Sequence, residues 1–242
     1  MESGRSGWLV RGALASAVVI ALHFMLSGIE GYGRVLDALT AALAIFAALV
    51  AAREWRIGRE GWVAHFAAGM VLWAVGEASW VALSAGLGIE IPYPSPADAF
   101  WLAGYAFLVY SLYLAFSGMK DVRTPEALAL GGYIIIVGAM FFALRDPILA
   151  STENFGEGII SIAYLLGDAL LLSLSLPLVY GAATGRAGNA WVALCLALAL
   201  IGVGDIAFFA LTSAGAYTGA HPMNLLYALG YLWAGMSIPA IK

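Results

Sequence analysis

Eight apolar runs, each near the length that crosses a hydrocarbon core, succeed one another along this chain and leave no linker long enough for a soluble domain. A backbone in lipid must satisfy its own hydrogen bonds, and about twenty apolar residues per crossing are those of a helix. The expected helices cover 8–28, 35–52, 62–87, 98–117, 127–145, 158–180, 190–214 and 224–241. Composition agrees: of 242 residues, 63% are hydrophobic and only 11% charged, far from the balance of soluble domains. The fold class expected is therefore all-α, a polytopic membrane protein. The first run follows a basic start, as a signal peptide would, but it has the length of a full span and is read as a retained helix.

Charge sets the expected orientation. Arg5, Arg11, Arg53, Arg56, Arg59, Lys120, Arg123, Arg186 and Lys242 fall at one end of the helices, and only Arg34 and Arg145 at the other. Basic residues near helix ends stay cytoplasmic, so both termini are expected inside, in a multi-pass protein of the cell membrane. The net charge of −4 and the scattered basic residues exclude a nucleic-acid partner. The single cysteine, Cys195, excludes an internal disulfide and a thiolate cluster.

The chain also repeats itself. Val75-Gly76-Glu77, Ala82-Leu83-Ser84, Pro94 to Asp98 and Leu102-Ala103-Gly104-Tyr105 return as Val203-Gly204-Asp205, Ala210-Leu211-Thr212, Pro222, Asn224 and Leu229-Gly230-Tyr231. Asp37-Ala38-Leu39 likewise matches Asp168-Ala169-Leu170, whereas helices 1 and 5 show no match. Two parallel four-helix repeats are expected, 1–126 and 127–242, related by an axis along the membrane normal.

Four of the fifteen acids lie within spans: Asp37, Glu77, Asp168 and Asp205. Both Lys residues lie outside the spans, and no basic residue is in register with these acids. An acid in hydrocarbon costs a few kcal/mol, which makes it a functional candidate where it faces the bundle interior. Glu77, Asp168 and Asp205 share a depth between midplane and outer surface. Trp73, Glu77, Trp80 and Ser84 follow helical spacing along one face, as do Asp205, Phe208, Phe209 and Thr212. Asp98 with Tyr105, and Asn224 with Tyr231, pair at i, i+7. The expected site is a carboxylate and aromatic cavity opening outward, with Glu77, Asp205, Asp168 and Asp37 as its polar core. Asp98, Asn224, Tyr105 and Tyr231 would shape its entrance, and His23 and His221 lie near enough to approach it.

Each feature has a plainer reading. The acids serve equally as hydrogen-bonding glue between helices, the aromatics as packing, Ser95 or Asp98 as the cap of helix 4, and the many glycines as points of close helix approach. Trp8, Trp62, Tyr93, Trp191 and Tyr217 suit interfacial anchoring. Three scattered histidines make no metal signature, and no cofactor is indicated. A retinal Schiff base would need a lysine within a span. Haem bridging would need paired histidines at one depth, and His23 and His65 differ in depth. Phosphate-binding glycine loops and serine nucleophile elbows are lacking in suitable context.

Gly76-Glu77, Trp80, Pro92, Pro94 to Asp98 and Leu102 to Tyr105 together resemble the multi-helix membrane region that begins many bacterial and archaeal signalling proteins. The outputs of those proteins are PAS-linked histidine kinases or GGDEF and EAL domains. The resemblance implies a sensory input module. Because the sequence closes at Lys242, such a module is expected either to act through a separate signalling partner or to be part of a longer protein. Leu166 to Leu170 and Gly204-Asp205 also resemble the intramembrane Gly-Asp motifs of the lysoplasmalogenase family, eight-helix hydrolases of ether lysolipids. That second resemblance implies Asp168 and Asp205 as general acid and base, or as groups that polarise water on a vinyl-ether substrate.

The first functional expectation is a membrane sensory module whose cavity takes a small molecule, a lipid or a cation. A lysolipid hydrolase is the second, and a proton- or cation-coupled transporter the third.

Overall fold

A computed structural model describes residues 7–87, 94–118, 124–145, 155–185 and 187–241. Pro92, Tyr93 and the basic residues Arg5, Lys120, Arg123, Arg186 and Lys242 lie outside the described residues.

The described residues are mostly helical, joined by turns and loops, and contain no strand. The helices are α1 (Gly7–Leu26), α2 (Tyr32–Gly58), α3 (Gly61–Leu87), α4 (Pro96–Ser117), α5 (Thr124–Ala143), α6 (Phe155–Ala183), α7 (Asn189–Ser213) and α8 (Asn224–Ser237). Seven, α1 to α7, are long and apolar enough to cross a membrane, as in a multi-pass membrane protein.

The eighth differs from expectation. Helix α8 has 14 residues, about 21 Å at the usual rise, and gives way to a 3₁₀ turn over Ile238–Ala240. Pro239 lies in that turn. Its ring has no N–H to continue the α ladder, so the regular helix stops short of residue 241. Despite its length α8 is central, with Ala228, Tyr231, Ala234 and Ser237 almost wholly buried.

Local chemistry fixes several ends. Ser95 caps α4 by accepting from the Ala97 amide, while the Asp98 carboxylate accepts from the Ser95 amide and Pro96 occupies the first turn. The capping expected of this segment is thus realised by both residues at once. Helix α2 begins after Gly31, whose φ of 79° suits a residue without a Cβ.

Six helices close a ring. α2 packs on α3, α3 on α4, α4 on α6, α6 on α7, α7 on α8, and α8 back on α2. The remaining two lie outside it, α1 against α8 and α5 against α6. Small residues bring the ring helices together. A Cβ on Gly104 would overlap the Trp73 indole, and one on Gly230 would overlap Ile201, so α4 lies close on α3 and α8 close on α7. Trp73, 2% exposed, is the largest fully buried side chain. Its N–H donates to the Trp101 carbonyl at 2.9 Å.

Candidate functional site

The ring encloses a cavity of about 330 Å³. Its wall comes from one end of the bundle: the C-terminal halves of α3 and α7, the N-terminal halves of α2, α4, α6 and α8, and Tyr217 in the loop before α8. That is the end carrying Arg34 and Arg145, where basic residues are few.

Tyrosines hold the acids. Tyr231 on α8 donates to Glu77 Oε1 on α3 at 2.9 Å. The Tyr105 hydroxyl on α4 lies 2.6 Å from Asp168 Oδ1 on α6 and 2.8 Å from Asp205 Oδ2 on α7. Tyr227 donates to the other oxygen, Asp205 Oδ1, at 2.8 Å, and Tyr164 donates to Asp98 Oδ1 at 2.8 Å. The Tyr231–Glu77 and Tyr105–Asp205 bonds each join helices that are not neighbours in the ring, α8 to α3 and α4 to α7. They act as struts across its interior.

The Tyr105 contacts also constrain where the protons are. A phenol carries one proton and cannot donate fully to two carboxylates. The arrangement balances when Asp168 carries a proton and donates it to the Tyr105 oxygen, which donates in turn to Asp205. Asp205 then remains an acceptor at both oxygens, and Tyr227 serves the second. Asp168 Oδ2, buried without a hydrogen-bond partner among the described residues, fits the carbonyl oxygen of a neutral acid better than half of a carboxylate.

The expected site residues are mostly brought together, with five changes of place. Asp37, Glu77, Trp80, Asp98, Tyr105, Asp205, Asn224 and Tyr231 all reach the cavity wall. Asp168 does not. It is 1% exposed and sits behind Tyr105, its carboxyl against Gly202 of α7. Tyr105 and Tyr231, expected at the entrance, are 6% and 1% exposed and belong to the polar core, because their hydroxyls are what the buried acids bond to. Asp98 and Asn224, expected at the entrance too, are each 5% exposed and carry structural bonds besides lining the cavity. Asp98 closes the capping box. Asn224 donates to the Gly219 carbonyl at 2.8 Å and accepts from Tyr217.

Aromatic wall residues that the sequence did not single out are Tyr227, Tyr164 and Trp101. Tyr227 and Trp101 each stand four residues before a core tyrosine, 231 and 105, hence one turn away on the same face; that spacing was the available signal. Tyr164 likewise stands four residues before Asp168, one turn away on α6, but its bond partner Asp98 lies 66 positions away and no local spacing marks it. His23 is buried against the Tyr32 hydroxyl at 3.2 Å and His221 accepts from the Met223 amide; neither lines the cavity.

The electrostatics are one-sided. Asp37, Glu77, Asp98 and Asp205 reach the wall, while no Lys, Arg or His does among the described residues. The ion pair found among the described residues, Arg53 with Glu54, is remote from the cavity. Tyr217, in the loop, has its phenol pushed up to about 12 by burial and by the charges of Asp37 and Glu77. The rest of the wall is aromatic. Trp73 meets Tyr105 and Tyr231 edge-on at 5.2 and 6.2 Å, Trp80 tilts against Trp101 at 6.1 Å, and Phe208 meets Tyr217 at 4.8 Å.

Compared with models of protein families, with curated proteins and with solved structures, the chain matches none of them.

Proposed function

We propose that this chain is a membrane-embedded sensory module that binds a ligand from the outer side, in a cavity between two four-helix halves. The carrying observation is the cavity itself. At about 330 Å³ it falls at the lower end of small-molecule sites, and three span acids reach it beside aromatic faces. Pure helix glue would need no such space.

The two-halves reading draws on matching contacts. Tyr105 reaches from the first half to Asp205 in the second, and its counterpart Tyr231 reaches from the second half to Glu77 in the first. A Cβ on Gly76 would meet Trp101, and one on the matching Gly204 would meet the matching Tyr227. The ring contacts correspond too, α4 with α6 as α8 with α2. The correspondence breaks at α1 and α5, as the sequence does. An eighth crossing by the short α8, with both termini inside, belongs to this proposal. Nine basic residues against two support that orientation, which turns the cavity outward.

A ligand that competes for Glu77 or Asp205 loosens a strut between the halves, and it can shift helix packing only through unequal affinity for two packings. Output would pass to a signalling partner. The test is thermal unfolding of the purified protein across a broad set of small molecules, lipids, cations and pH. Stabilisation that disappears in Glu77→Gln supports the proposal, because a ligand that binds only the folded state raises its stability. Indifference of both proteins to the whole set refutes it.

A second reading, lysolipid hydrolysis, is favoured by one observation: Asp168 and Asp205 share the Tyr105 hydroxyl, an arrangement that separates the roles of two carboxyls. Only Asp205 would face substrate. Turnover of a lysoplasmalogen, abolished in Asp205→Asn, supports this reading, and no hydrolysis in detergent or liposomes removes it.

A further inference from the structure

We infer that the cavity ligand is a small organic cation, an amine or quaternary ammonium. The inference rests on the ligand-binding reading above and names the class of ligand. Glu77, Asp205 and Asp37 each keep accessible surface through the cavity, whereas the other span acid, Asp168, is sealed. A carboxylate enclosed among hydrocarbon without a countercharge is costly, and the described wall offers no basic side chain. Either a proton on the acid or a positive charge on the occupant removes that cost; sealed Asp168 has only the first route, whereas Glu77, Asp205 and Asp37 border a cavity with room for the second.

The wall favours an organic cation over a bare metal ion. No group of three or more His, Cys, Asp or Glu among the described residues is placed to hold a metal. Both Asp205 oxygens and one Glu77 oxygen are already engaged by tyrosines, whereas a hard cation such as calcium takes six to eight oxygen ligands. An ammonium asks less, a nearby negative charge and aromatic faces. Trp80, Trp101 and Phe208, each half-buried at the cavity wall, provide such faces. The ammonium would sit by Glu77 and Asp205 and the apolar body against Trp80 and Trp101. The same lack of basic side chains disfavours a phosphate attached to the ammonium, so a free amine suits the site better than a phosphocholine headgroup.

The probes are choline and phenethylammonium, set against the neutral analogues 3,3-dimethyl-1-butanol and 3-phenyl-1-propanol, and against phosphocholine and phenylpropionate. Binding to the purified full chain is read by tryptophan fluorescence and by thermal unfolding. At least one cation should bind about tenfold or more tightly than its neutral analogue, with phosphocholine and phenylpropionate weaker still. Glu77→Gln and, independently, Trp80→Leu should each remove most of that preference. Neutral or anionic probes binding as well as the cations overturn the cation class and leave the ligand-binding reading standing. Binding of lipids alone does the same. If no probe of any charge binds, the inference falls, and the broader set of ligands decides the ligand-binding reading separately.

Discussion

The Tyr231 hydroxyl donates to Glu77 Oε1 at 2.9 Å, closing a contact between residues 154 positions apart on helices that are not neighbours in the ring. Replacing Tyr231 with Phe keeps the buried ring and removes only the donor. A fully buried acceptor left unsatisfied costs about 1–3 kcal/mol; Glu77 is half-buried at the cavity wall, so Tyr231→Phe should lose about 1 kcal/mol in reversible unfolding from detergent micelles. An unchanged midpoint would show that water takes over the bond.

The Tyr105 proton chain predicts unequal effects for two similar substitutions. In Asp168→Asn the amide still donates to the Tyr105 oxygen, so stability should change by less than about 1 kcal/mol. In Asp205→Asn one tyrosine hydroxyl meets an N–H donor in place of an acceptor, and about 1–3 kcal/mol should be lost. Paired unfolding curves check the order; the reverse order would place the proton on Asp205.

Helix contact at Gly104 should be unforgiving. An added methyl overlaps the Trp73 indole, and overpacking of this kind costs about 1–3 kcal/mol. Gly138 on α5 has open space around its Cβ position, so Gly138→Ala should be neutral or stabilising by up to about 1 kcal/mol. Thermal midpoints of the two variants, measured in the same detergent, provide the comparison.

Tyr217 should titrate late. Its phenol is pushed from the ordinary 10.0 up to about 12, so well below pH 10 it is neutral in both folded and unfolded protein. Between the two values the unfolded chain ionises and the folded one does not, so stability falls as pH rises through that window. The difference in near-UV phenolate absorbance between the native chain and Tyr217→Phe should emerge near pH 12 rather than 10.

The helices were legible because their causes are local. Seven apolar runs became helices, six of them within about three residues of the limits expected while α2 runs six residues further, to Gly58, and the Ser95–Asp98 cap is complete within three residues. Even α8 betrays its stop, since Pro239 is in plain view; hydrophobicity alone overstates the length of that helix because it takes no account of the missing N–H. The acids that matter were legible too, because charge within an apolar run stands out whatever the fold.

What the sequence determined by itself, then, was the helices, their depth-marking acids and the aromatic faces beside them, all set by backbone hydrogen bonding in hydrocarbon and by a repeat of 3.6 residues per turn. Only the tertiary structure decided the pairings. Whether Tyr105 meets Glu77 or Asp205, and whether Asp168 faces the cavity or hides behind a ring, depends on which helices adjoin and how each is rotated about its axis. That rotation is set by long-range packing, by Gly104 against Trp73 and Gly230 against Ile201, and the spacing along one helix carries no record of it.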